Sequence, residues 1–134
     1  MRLKILALAI ALTGSVIVPA QARSASKPDL KLEQTAAKNY ARAFMLKTYS
    51  WGESEFVCLD EIWEHESHWN YHSSAGKKYF GIPQLNAALV KKNYTVERFM
   101  ADPKLQVRAG LRYIYKRYDS PCGVINAVGH NGGY

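Results

Sequence analysis

One acidic residue of this 134-residue chain lies on the apolar face of a predicted helix. The pattern over residues 54–67 predicts a helix with Ser54 as its N-cap. Three apolar residues mark one face of it, at relative positions 0, 3 and 4: Leu59, Ile62 and Trp63. The next position on that face is Glu66, near the helix C-terminus. Loss of hydration and the negative end of the helix dipole both raise the pKa of such a carboxyl group. A carboxylic acid that stays protonated near neutral pH can protonate a glycosidic oxygen.

A half-buried ion pair is the alternative role for Glu66. Arg108 or Arg112 could supply the cation, and periodicity alone leaves both interpretations open.

Three histidines close to this glutamate could suggest a metal site. His65, His68 and His72 are spaced three and four residues apart, but they do not form the H-E-x-x-H motif, since Trp69 stands where the second histidine would be. Polar loop histidines are the simpler interpretation. We expect neither a metal nor another cofactor.

The first 22 residues have the pattern of a secretory signal peptide. Arg2 and Lys4 precede an apolar run over residues 5–18, and a small-x-small site ends at Ala22. A membrane anchor is the alternative, but the run is shorter than the roughly 20 residues that span a bilayer. Cleavage after Ala22 would leave 112 residues with a net charge of +5. We therefore expect a secreted or periplasmic protein of the cell envelope, without a membrane anchor after cleavage.

The exported part contains two cysteines, Cys58 and Cys122. In an oxidising compartment such a pair is most simply a disulfide. Free thiols are the alternative.

The remaining pattern predicts a single, mainly helical domain with a small hairpin or loop insertion. Residues 23–50 form an N-terminal helical segment and residues 51–134 the main domain. The predicted elements are a helix over 29–48, a loop or small β-hairpin over 68–84, a short helix over 86–93, a turn over 95–100, a helix from Asp102-Pro103 to about Tyr118, and a loop-like tail over 129–134.

Three ordered motifs in residues 51–134 resemble the soluble lytic transglycosylase (SLT) domain of the lysozyme-like superfamily. The chain end, with Ser120-Pro121-Cys122 and Gly133-Tyr134, is similar to a small secreted branch of that family. The motifs are Cys58–Ser67 with Trp69, Ser74-Ala75-Gly76 with Phe80–Gln84, and Asp102–Tyr118.

This resemblance implies a lysozyme-like fold with a glycan-binding cleft. It also implies cleavage of the β-1,4 bond between N-acetylmuramic acid and N-acetylglucosamine in peptidoglycan. Glu66 matches the catalytic acid. The residues expected to bind the glycan are Ser67, Gln84, Tyr113, Ser74, Phe80, His130 and Tyr134. The family's "AYNAG" motif is missing, so the residue that orients Glu66 stays open among Tyr113, Tyr118, His130 and Tyr134.

The distribution of acids favours a mechanism with one carboxylate. Most glycosidases use two, yet no Asp or Glu stands between Ser67 and Glu97. Asp60 and Asp102 are the acids that folding could still bring into the cleft. A single acid fits lytic transglycosylation, which ends in a 1,6-anhydro ring. The alternatives are a lysozyme-type hydrolase and a non-catalytic glycan-binding or structural module.

The basic excess is consistent with attraction to anionic wall polymers. It comes without a nucleic-acid motif, so we expect peptidoglycan strands as the partner, no nucleic acid, and a monomer. The aromatic residues of the predicted loop either stack on sugars or pack around the hairpin: Trp69, Tyr71, Tyr79 and Phe80.

Overall fold

The computed structural model describes residues 29–131 and 133–134. The predicted signal peptide, its cleavage site after Ala22 and residues 23–28 lie outside this part. The elements are α1 (Leu30–Tyr49), α2 (Glu53–Ser67), β1 (Ser74–Ala75), β2 (Tyr79–Phe80), β3 (Leu85–Asn86), α3 (Ala87–Asn93), α4 (Val96–Ala101), α5 (Pro103–Tyr118) and α6 (Pro121–Val128). The prediction of a mainly helical domain with a small hairpin is confirmed.

The start of α2 differs from the prediction. Its N-cap is Gly52, which has no side chain to cap the helix, so the prediction of Ser54 as N-cap is wrong. Glu53 and Glu55 lie in the first turn, where their negative charges favour the helix N-terminus. These acids supply the stabilisation that Ser54 was expected to give.

Helix α5 begins as the sequence predicts. The Asp102 side chain accepts a hydrogen bond from the backbone N–H of Leu105 at 2.9 Å, and Pro103 is the first helical residue. Proline suits this position because its missing N–H would have no partner within the helix.

Helix α6 is absent from the prediction, although a capping residue followed by proline starts it, as in α5. Ser120 caps it by accepting from the Gly123 N–H at 3.2 Å, and Pro121 is its first residue. Ser120-Pro121 therefore ends α5 and begins another helix. The stretch 95–100, predicted as a turn, is also mostly helix, since α4 starts at Val96 behind the cap Thr95.

The insertion after α2 is a three-stranded antiparallel sheet in the order β1-β2-β3. Ser74 is paired with Phe80, and Phe80 in turn with Leu85. Helix α3 follows directly behind its N-cap Asn86.

The core has two parts. The larger cluster joins α1, α2, α5 and α6 around Trp63 and Trp69. The smaller one lies between the sheet and α3 to α5, and its buried residues are Phe80, Leu85, Val90, Phe99 and Leu105. Since Ala37, Ala41 and Met45 belong to the larger cluster, α1 shares the core of the main domain.

Within the described ranges, no helix is both long and apolar enough to cross a membrane.

A disulfide links α2 to α6, as predicted. Cys58 and Cys122 are bonded, with an S–S distance of 2.06 Å. This bond is compatible with an extracytoplasmic location.

Candidate active site

Glu66 lies in the last turn of α2. The helix ends at Ser67, and His68 adopts the left-handed conformation, with its backbone N–H directed to the carbonyls of Trp63 and Glu64. Glu66 is partly buried, and this burial raises the pKa of its carboxyl group, while the nearby His65 opposes the shift. The group is thus biased toward its protonated form.

Glu66 differs from the other partly buried acids in having no partner. Among the described residues, no hydrogen bond or ion pair to it is found, whereas each of the other six has one. The six pairs are Glu33 with His72, Glu55 with the Cys122 N–H, Asp60 with Lys38, Glu61 with His130, Glu64 with Lys38, and Asp102 with the Leu105 N–H. The alternative ion pair with Arg108 is not found, and that guanidinium donates instead to the Tyr40 hydroxyl at 2.9 Å. No pair with Arg112 is found either.

The last residue of the chain reaches back to this end of α2. Trp63, one turn before Glu66, donates its indole N–H to the Tyr134 hydroxyl at 2.7 Å. The Tyr134 hydroxyl donates in turn to the Pro83 carbonyl at 3.1 Å. Burial raises the pKa of Tyr134 well above its usual value, and the negative charge of Glu66 contributes to the shift. Tyr134 therefore neighbours Glu66 but directs its proton elsewhere.

Two tyrosines of α5 complete an aromatic wall, which we define as Tyr113, Tyr118 and Tyr134. The ring centroids of Tyr113 and Tyr134 are 5.6 Å apart, and Tyr118 is 6.3 Å from each. Burial, followed by the neighbouring Tyr118, raises the pKa of Tyr113. None of the residues proposed to orient Glu66 forms a hydrogen bond to it here, and His130 is paired with Glu61 instead.

Ser67 and Gln84 both form hydrogen bonds to the connection between β2 and β3, residues 81–84, which we call the return segment. The Ser67 hydroxyl donates to the Ile82 carbonyl at 2.7 Å. The Gln84 amide donates to the carbonyls of Gly81 at 2.8 Å and Ser73 at 3.3 Å. The structure thus gives both side chains positioning contacts beside the end of α2.

Gln106 is a site-building residue that the sequence reasoning did not single out, although it stands in the third motif. It is fully buried on α5. Its side-chain oxygen accepts from the Ile82 N–H at 2.8 Å, and its amide nitrogen donates to the carbonyls of Tyr71 and Phe99, both at 3.0 Å. Gln106 therefore holds the backbone N–H of Ile82, whose carbonyl is held by Ser67.

The remaining predicted glycan-binding residues lie in different surroundings. Ser74 is exposed in β1, while Phe80 packs into the smaller core cluster and is 8% exposed. Trp69 is buried beside Trp63, with centroids 4.9 Å apart, which favours packing over sugar stacking for this ring. Tyr79 remains exposed in the hairpin.

The histidines near α2 face carboxylates. His68 lies 3.4 Å from Glu64, and His72 lies 3.5 Å from Glu33. In the described part of the chain, no group of three or more ligating residues could hold a metal ion.

Comparison of the chain with known protein families, with characterised proteins and with solved structures finds no match in any of the three. The chemistry of Glu66 is therefore inferred from the groups around it.

Proposed function

We propose that this chain is a lytic transglycosylase that cleaves the β-1,4 bond between N-acetylmuramic acid and N-acetylglucosamine in peptidoglycan. The observation that carries the proposal is Glu66: a partly buried carboxyl group in the last turn of α2, with a raised pKa and no partner among the residues that the structure describes. A raised pKa keeps the acid protonated to a higher pH than is usual for a glutamate, as a general acid requires. The same residue matches the catalytic acid of the family that the motifs resemble.

The reaction then uses one carboxyl group twice. Glu66 first gives its proton to the glycosidic oxygen, the C1–O bond breaks, and the N-acetylglucosamine end leaves as an alcohol. The N-acetyl oxygen of the muramic acid stabilises the cationic C1. The Glu66 carboxylate next takes the proton of the C6 hydroxyl, whose oxygen bonds to C1 and closes a 1,6-anhydro ring. The proton on Glu66 is restored, and no water is consumed.

The positions of the other acids support a single-acid mechanism. Asp60 lies 2.8 Å from the Lys38 ammonium, and Asp102 caps α5. Residues 68–96, which include the whole sheet, contain no acid at all. The two acids that folding could have brought across from Glu66 as a second carboxylate, Asp60 and Asp102, are therefore engaged elsewhere in the fold.

The aromatic wall supports the same outcome. Tyr134 neighbours Glu66, and its ring packs with those of Tyr113 and Tyr118. Apolar ring surface disfavours bound water. An attacking water would produce a reducing end, so limited access of water favours ring closure by the C6 hydroxyl. The lysozyme-like arrangement belongs to this proposal: α2 ends at the acid, and a small antiparallel sheet follows it directly.

Digestion of purified sacculi tests the proposal. The wild-type protein should release fragments with 1,6-anhydromuramyl ends, detected by mass spectrometry. Glu66→Gln should lower their release by about 100-fold or more, because loss of a general acid typically costs that much. Glu97→Gln is the matched control, since it removes the same charge from an exposed position on α4, and its product yield should equal that of the wild type.

Two results would contradict the proposal. Fragments with reducing ends would indicate a lysozyme-type hydrolase. Binding to sacculi without any product, equal for the wild type and Glu66→Gln, would indicate a glycan-binding module.

A further inference from the structure

A second feature of the surface is a groove of about 480 Å³ between α3 and the C-terminal half of α5. We call it the basic groove, because four of its lining side chains are cationic: Lys92, Arg112, Lys116 and Arg117. None of its eleven lining residues, all in the described part of the chain, is acidic.

The charges of the basic groove are not compensated within the fold. Arg112 and Lys116 are four residues apart on α5, a spacing at which like charges repel. The dipoles of α3 and α5 favour cations in their last turns, which accounts for Lys92, Lys116 and Arg117 but not for Arg112. Among the described residues, no carboxylate pairs with any of the four. An anionic ligand would relieve this repulsion.

Positive and negative charges are also distributed unevenly along the chain. Residues 68–134 contain ten Lys and Arg against three Asp and Glu, whereas residues 29–67 contain four against eight. The acids of the first part pair largely among α1, α2 and their neighbours, as described above. The basic groove belongs to the second part, whose excess of positive charge is available to an anionic ligand.

The basic groove also offers some apolar surface. Leu85, Leu89, Val90 and Tyr94 line it; Leu85 and Val90 are buried, so the accessible part belongs to Leu89, which is 40% exposed, and to the partly buried Tyr94. A bare glycan presents mostly hydroxyl groups and matches such a surface poorly. A peptide that carries carboxylates together with apolar side chains matches both the cations and the apolar surface.

The basic groove connects with the proposed active site through Tyr113. This residue lines the groove, and its ring lies 5.6 Å from that of Tyr134, the neighbour of Glu66. We propose that the basic groove binds the carboxylates of the peptides attached to the muramic acid residues of the strand being cleaved, an inference that rests on the proposed function. Arg112 and Lys116 are the main contacts.

Binding measurements on the full chain with Glu66→Gln test this without turnover. The probes are soluble glycan–peptide fragments released from sacculi by a muramidase, in three forms: intact, with the peptide carboxylates amidated, and with the peptides removed. Removal frees the lactyl carboxylate, so the third form separates the two sources of negative charge. Calorimetry at low salt gives the Kd of each.

Adding Arg112→Gln and Lys116→Gln should weaken binding of the intact fragment about tenfold, because two exposed ion pairs are lost, each with a modest contribution. Binding of the amidated and peptide-free forms should change less than about twofold. Lys31→Gln with Lys47→Gln removes two exposed lysines from α1 and serves as the control of equal charge, with an expected change below about twofold. Unchanged circular dichroism would show that the variants are folded.

Three results would overturn the inference. Equal weakening for intact and peptide-free fragments would show that the cations bind the glycan itself. Unchanged binding of all three fragments would show that the groove does not bind the peptide carboxylates. Tighter binding of an unrelated acidic peptide than of the intact fragment would indicate a segment of another protein as the occupant. None of these readouts needs catalysis, so the failure of the anhydro-product test alone would leave peptide binding standing.

Discussion

Glu66, which has no partner within residues 29–131 and 133–134, has a cost for the folded protein. A carboxyl group that loses water on folding without gaining a hydrogen bond or a cation is destabilising when it is charged. Stability is often reduced at residues that serve an activity. Glu66 matches that description, whereas the six partnered acids do not.

Replacement of Glu66 by Gln should therefore stabilise the protein at neutral pH. The pKa of Glu66 is raised above 4.5 by burial, so between 4.5 and the raised value the folded state holds a proton that the unfolded chain has released. The wild-type free energy of unfolding then falls as the pH rises through this interval. Near pH 7 we expect Glu66→Gln to be more stable by less than about 1 kcal/mol, because solvent screens a partly exposed group.

The advantage of Glu66→Gln should shrink as the pH falls through this interval and vanish below 4.5, where the wild-type carboxyl group is protonated in both states. Thermal unfolding over pH 4–8 by circular dichroism measures the difference. Glu97→Gln, at an exposed position, should show no such trend. If Glu66→Gln were less stable than the wild type at pH 7, Glu66 would have an attractive partner, and its role as a free acid would be wrong.

At the scale of elements, the features that the sequence predicted best depend on local signals, namely periodicity and helix caps, and not on tertiary contacts. The periodicity of α1, α2 and α5 and the cap at Asp102 fixed those helices to within a residue or two. Ser120-Pro121 has the same cap chemistry and starts α6, although the sequence pattern predicts no helix there. A proline after a capping serine both ends one helix and suits the first position of the next, so the pattern has two meanings.

The contacts that fix the return segment, residues 81–84, could not be predicted from the sequence. Gln106 binds backbone groups 24 and 35 residues away along the chain. Backbone groups have no residue type, so no pattern in the sequence identifies them as partners. The location of Glu66 on a buried face was predictable from periodicity, but the absence of a partner was not, because it depends on where every nearby cation points.

Gly81 is the point at which this segment passes Gln106. It has φ +73°, and a Cβ on it would lie 2.3 Å from the Gln106 side-chain oxygen. Gln106 cannot move away cheaply, because it is fully buried and holds three hydrogen bonds. Gly81→Ala should therefore lower the free energy of unfolding by about 3 kcal/mol or more, measured by urea denaturation.

Gly76 supplies the matched control for this prediction. It also has a positive φ, of +59°, but nothing lies within 4 Å of its Cβ position. Gly76→Ala should cost only about 1 kcal/mol, the penalty of the left-handed backbone. Equal losses for the two variants would show that backbone conformation alone, and not the contact with Gln106, restricts Gly81.

At the scale of the whole molecule, the chain end is tied to the helix that carries the acid. The disulfide joins Cys58 of α2 to Cys122 of α6, and Glu55 of α2 accepts from the Cys122 N–H at 2.8 Å. Past α6, Tyr134 inserts its hydroxyl between Trp63 and Pro83. The surroundings of Glu66 thus depend on contacts between residues that are 51 to 71 positions apart.

Loss of the disulfide should destabilise the whole domain more than any single side chain discussed here. The bond closes a loop with a sequence separation of 64, and the loop-entropy relation gives about 4 kcal/mol for a loop of this size. We expect a reductant to lower the urea midpoint of the wild type by a corresponding amount, and Cys58→Ser with Cys122→Ser to show the lower midpoint with and without reductant. Because the bond acts mainly on the unfolded chain, the double variant should keep native circular dichroism in the absence of urea. A wild-type midpoint that does not respond to reductant, under conditions where alkylation shows two free thiols, would mean that packing of α6 on α2 holds the chain end without the covalent link.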